Sequence, residues 1–94
     1  MTLTLLRQEI DKIDQELVHL FEKRLALVNQ VSDHKVQHNM AVFDQQREGD
    51  ILEKVSQLVT DPSLESAIIE TFEAIMAISR KHQTLRQNKG DAHD

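Results

Sequence analysis

The stretch from Leu6 to Lys35 reads LRQEIDKIDQELVHLFEKRLALVNQVSDHK. Within it Leu6, Ile10, Ile13, Leu17, Leu20, Arg24, Leu27 and Val31 follow alternating steps of four and three. That spacing puts all of them on one side of an α-helix turned toward a partner surface. No Gly or Pro interrupts the segment, so it predicts one helix from about Leu3 to about Gln37. At 1.5 Å per residue this is a rod of roughly 50 Å. The remainder of the chain is too short to cover such a rod, which leads us to expect a homodimer with the first helices paired along much of their length.

Composition agrees with an all-α fold. The 94 residues include two Gly, one Pro and no Trp, Tyr or Cys, while 39% are hydrophobic and 29% charged. Such a chain is one domain at most, close to the size at which a monomer's core becomes thin. The net charge of −5 argues against nucleic acid or an anionic membrane as the main partner. The absence of cysteine excludes disulfide and thiolate chemistry. The first residues are charged and amphipathic, with no apolar secretory core, and no run of 18 apolar residues occurs. A cytoplasmic protein is expected.

Beyond the first helix, His38–Ala41 forms a polar break, and Asp44 suits the N-cap of a second helix carrying Ile51, Leu52, Val55, Leu58 and Val59 on one face. Thr60–Ser63 marks the next turn, with Pro62 fitted to open a third helix. That helix is expected to bury Ile68, Ile69, Phe72, Ile75 and Met76. The expected domain spans residues 1–86, followed by a polar, frayed tail over 87–94.

The apolar stripes are broken at chosen places. On the first helix Arg24, Val28, Val31 and Lys35 share a face, with the two cations about 16 Å apart along the axis. On the second, Arg47 borders the apolar face beside Glu48 and the Asp44 cap. On the third, the stripe Ile69, Phe72, Met76 continues into Ser79 and Gln83. Each case alone fits a plainer account: stems that pack while their charged heads reach water, ordinary first-turn chemistry, or a stripe fading toward an exposed end. Three helices turning polar on their inward faces point instead to a pocket for an anion, because a buried guanidinium is costly unless it is partnered. The five histidines show no metal-ligand spacing, Asp33, His34 and His38 being the nearest approach to one, so neither metal nor cofactor is expected.

Taken in order, Arg7 with Ile10 and Asp14, Glu22-Lys23-Arg24, Lys35, Asp44-x-x-Arg47-Glu48 and Ser79-x-x-x-Gln83 make a pattern that resembles the all-helical (type II) chorismate mutases, in a stand-alone form. The resemblance covers about residues 5–86. It implies an intertwined homodimer of three-helix chains that converts chorismate to prephenate without a cofactor. It further implies that Arg24, Lys35, Arg47 and Ser79 line the site, with Arg7 supplied by the other chain. The arginines would hold two carboxylates, Lys35 and Gln83 would address the ether oxygen, and Glu48, with the backbone near Asp44, would receive the ring hydroxyl. Two other readings remain: an isochorismate pyruvate lyase on the same fold, favoured less because Glu48 directly follows Arg47, and a non-catalytic helical dimer that binds a partner helix.

Overall fold

A computed structural model describes residues 1–91, with side chains described through Asn88. Helix α1 spans Leu3–Gln37, α2 spans Gln45–Leu58, and α3 spans Glu65–Asp91, with a short 3-10 turn at Pro62–Leu64 leading into α3. Among the described residues there is no strand. Each boundary has a local cause. Thr2 caps α1 by accepting from the Leu5 N–H at 3.2 Å. Asp44 caps α2 by accepting from the Arg47 N–H at 3.0 Å. Asp61 accepts from the Ser63 N–H at 3.0 Å, and Pro62 opens the 3-10 turn rather than α3 itself.

The end of α1 sets the path of the connection to α2. Asn39 adopts a left-handed φ of 55°, and the Met40 N–H reaches back to the Lys35 carbonyl at 2.8 Å while the Asn39 N–H reaches Val36. This is a Schellman stop with asparagine in the position glycine usually takes. It reverses the chain within a few residues and brings Val42 back against the last turn of α1.

Helix α1 runs in the same direction as α3, with Arg24 beside Ser79 and Asp33 beside Arg86. Helix α2 is the return stroke, pairing Glu48 with Arg80 at one end and Ser56 with Glu65 at the other. At the α1–α3 crossing Ser32 is only 1% exposed. Its hydroxyl donates to the Gln83 carbonyl at 3.5 Å and accepts from the Gln87 side-chain amide at 3.2 Å. A small hydroxyl lets the two backbones come close and satisfies the polar groups met there. Further along, the guanidinium of Arg86 grips Asp33 through two 3.0 Å bonds, which hold that carboxyl below its ordinary range.

The apolar faces of α2 and α3 meet as the spacing implies, although among the described residues Val55 and Met76 are the only apolar side chains that are buried. Ile51, Leu52, Val59, Ile68, Ile69, Phe72 and Ile75 are half-buried, and Leu58 is exposed. The first half of α1 is left largely uncovered by the described residues: every residue from Met1 to Lys23 is exposed. The chain measures 57 × 28 × 15 Å with a radius of gyration of 16.7 Å, where a compact chain of this length would have roughly 12 Å.

The tail expected from Gln87 onward begins within α3. Helix α3 continues through Asp91, with Gln87 bonded to Ser32. Residues 92–94 of that stretch lie outside the described residues. Among the described residues, no helix is long and apolar enough to cross a membrane.

Gly49 lies inside α2 with helical backbone, and a methyl group added there would meet no atom within 4 Å. Glycine in such a position only adds freedom to the unfolded chain. Gly49→Ala is therefore expected to raise stability by roughly 0.5–1 kcal/mol, read as a melting temperature a few degrees higher.

Candidate active site

The described chain buries more polar side chains than apolar ones. Ser32, Lys35, Ser79 and Gln83 are buried, against Val55 and Met76. Lys35, Ser79 and Gln83 face one hollow of about 150 Å³ between the three helices. Helix α1 gives it Arg24, Val28, Val31 and Lys35; the connection and α2 give Val42, Asp44, Arg47, Glu48 and Ile51; α3 gives Met76, Ser79, Arg80 and Gln83.

Lys35 stands at its centre. Its ammonium donates to the Val42 carbonyl at 2.6 Å and to Gln83 Oε1 at 3.1 Å. Both acceptors are neutral, and no carboxylate of the described residues pairs with it. Because lysine only donates, the Gln83 amide must turn its oxygen to Lys35, and its –NH₂ group is left to donate elsewhere. Among the described residues that group has no protein partner. Arg24 Nη1 donates to Ser79 Oγ at 2.7 Å, and Ser79 in turn donates to the Ile75 carbonyl one turn back at 2.8 Å. Ser79 thus fixes the guanidinium without neutralising it. The exposed Arg47 side chain forms no bond with any described side chain, while its N–H is taken by the Asp44 cap.

Seven of the eight residues singled out from the sequence therefore line one hollow. The eighth, Arg7, is exposed and lies about 26 Å along α1 from Arg24 at 1.5 Å per residue, so it cannot reach the hollow of its own chain.

Three contributors were not anticipated. The Val42 carbonyl depends on the Schellman stop, which residue types in the connection do not announce. Phe43 sits directly before the α2 cap, and Arg80 crosses from α3 to pair with Glu48 while stacking over the Phe43 ring at 5.3 Å. A signal for Arg80 existed: the step of three from Met76 lands on Ser79, and the step of four lands on Arg80.

The hollow holds four cations, Arg24, Lys35, Arg47 and Arg80, and two acids, Asp44 and Glu48. With all six ionised its excess is two positive charges, which matches a dianion. The family pattern of chorismate mutase type II matches residues 6–84. The chain belongs to the type II chorismate mutase family. It is 51% identical over 43 residues to the T-protein of Haemophilus influenzae, covering 46% of this chain and 11% of that protein. It is also 33% identical over 76 residues to a bifunctional chorismate mutase/prephenate dehydratase of Buchnera aphidicola, covering 80% of this chain and 20% of that protein. A protein of the same name from Aquifex aeolicus is 36% identical over 53 residues, 56% of this chain and 15% of its own length. The chain thus spans a fifth or less of the length of these relatives.

A buried ammonium held only by neutral oxygens does little for the fold of this family member, since its desolvation offsets its bonds. Lys35→Met is expected to leave the melting temperature unchanged or higher. A fall of more than about 8 °C, roughly 1 kcal/mol or more for a chain of this size, would mark Lys35 as a structural residue instead.

Proposed function

We propose that this protein is a chorismate mutase, rearranging chorismate to prephenate, and that it works as a homodimer with two equivalent sites. The observation that carries the reading is Lys35: a buried cation that has no acid partner among the described residues, beside an amide whose –NH₂ group none of them claims. Together they make a pair of donors aimed at an oxygen that gains negative charge.

Chorismate is a dianion with an enolpyruvyl ether, and its conversion is a [3,3]-sigmatropic shift. The reaction asks for shape and electrostatics rather than proton transfer. Arg24, Arg47 and an Arg7 from the second chain hold the two carboxylates and select the compact conformer in which the bonding carbons approach. As the C–O bond lengthens ahead of C–C bond formation, charge grows on the ether oxygen, where Lys35 and Gln83 donate. Donors fixed in place beforehand stabilise the transition state more than the ground state. Glu48, with the backbone near Asp44, accepts from the ring hydroxyl. Because Gln83 is a neutral donor, it needs no protonation to act and sets no acid limit on the rate.

The dimer is supported by the exposed stripe of α1. Leu6, Ile10, Ile13, Leu17 and Leu20 lie in water in the single chain, and burying an apolar side chain of this kind is worth roughly 1.5–3 kcal/mol. Two such faces laid together bury both stripes. The same pairing carries Arg7 away from its own hollow and toward that of the other chain. The expectation of a cytoplasmic protein remains part of this reading.

Incubation of the protein with chorismate is expected to yield prephenate, and Lys35→Met is expected to cut turnover about a hundredfold to a thousandfold, the usual effect of removing one such donor. A bicyclic dicarboxylate mimic of the transition state is expected to raise the melting temperature. Pyruvate release from isochorismate without prephenate formation would transfer the reading to a lyase. No turnover and no thermal shift would leave a helical scaffold.

Mixing Arg7→Ala chains with Arg24→Ala chains is expected to restore activity to an otherwise inactive pair, since one site per mixed dimer is then intact. Absence of recovery after subunit exchange, verified by mass spectrometry, would remove Arg7 from the site.

A further inference from the structure

Glu48 has a cation next to it in sequence, Arg47, and two more across the hollow, Arg24 and Lys35. Its carboxylate takes none of them. It pairs with Arg80, which reaches over from α3. The Glu48 side chain is 20% exposed and that of Arg80 35%. The guanidinium of Arg80 also lies over the Phe43 ring, 5.3 Å from its centre, within the range where a cation is attracted to an aromatic face. Phe43 belongs to the connection that the α1 stop has just turned back, so two separate elements hold Arg80 in place. The other acid of the hollow, Asp44, is engaged with the Arg47 N–H as the α2 cap.

This arrangement addresses a difficulty inherent in any dianion site that also contains acids. A free carboxylate among arginines competes with the ligand for them and repels it. We propose that Arg80 is a positioning residue that sequesters Glu48, keeping its carboxylate off Arg24 and Arg47 and leaving those two cations for the substrate's carboxylates. The assignment rests on the chorismate mutase reading and adds to it a residue that does not itself hold the substrate. Arg80 neutralises Glu48 locally, and its planar guanidinium fixes the direction in which the second carboxylate oxygen points. Phe43 supports Arg80 through its ring face.

The test is a mutant cycle on the full chain with chorismate as the probe. Arg80→Met keeps the aliphatic stem but frees Glu48. It is expected to raise KM roughly tenfold, within the coupling range of neighbouring charged groups, with a smaller change in kcat. In a Glu48→Gln background, where no carboxylate remains to compete, the same Arg80→Met substitution is expected to leave KM within about twofold of Glu48→Gln alone, as for a pair acting as one unit. A full KM penalty persisting in that background would show that Arg80 holds the substrate or merely the fold, and would overturn the assignment. Phe43→Leu gives a second route should Arg80→Met fail to fold. It is expected to raise KM in the same direction by less, and this effect too should vanish with Glu48→Gln; a penalty that survives there also overturns the assignment. An inactive wild-type protein would sink the mutase reading itself, whereas an active wild type with additive penalties would sink only the role of Arg80.

Discussion

The arrangement depends on burying one ammonium group without giving it an acid. Lys35 achieves this in the last turn of α1, where the free carbonyl ends of the helix carry partial negative charge. It adds the Val42 carbonyl and the Gln83 amide oxygen as direct acceptors. Each of these compensates part of the positive charge and none cancels it. A carboxylate in the same position would have made a tighter ion pair and a poorer site, because the field felt by a bound anion would then be small. The helix end, the Schellman stop that delivers Val42 and the α3 stripe that delivers Gln83 are three separate pieces of local structure converging on one nitrogen.

Much of this was legible in the residues, and the reasons are specific. The alternating steps from Leu6 to Val31 required a long helix whatever its surroundings, because periodicity is a property of the backbone. Asp44 and Pro62 declared their turns through side-chain chemistry that acts over two or three residues. Ser79 and Gln83 stood out because they replaced hydrophobes on a face already assigned to the interior. What was not legible depended on tertiary approach. Arg80 looks like an ordinary surface cation until α2 is laid beside α3. The role of Val42 is played by its backbone, about which its side chain says nothing. The helical course of residues 87–91 goes with a contact from Gln87 to Ser32 that lies 55 positions away in the chain.

Sequestering charge recurs in the site. Arg24 is fixed by a hydroxyl, Lys35 by neutral oxygens, Asp44 by a backbone N–H and Glu48 by an arginine from outside the clamp. Arg24 and Lys35 have neutral partners and the acids are occupied. The result is a hollow whose positive excess is directed inward although the chain as a whole carries a net charge of −5. Overall charge and local charge thus have opposite signs, which suits a small anionic ligand and discourages a polyanion that would cover the whole surface.

The bare apolar flank on the N-terminal half of α1 has a consequence for the life of a newly made chain. On the proposed homodimer, a polypeptide leaving the ribosome with that flank uncovered is a sticky species until a second copy covers it. Encounter is a second-order event, so dilution prolongs the vulnerable interval and abundance shortens it. Proteolysis and misassociation compete with maturation during that interval, which ties the yield of finished protein to the rate of its own synthesis.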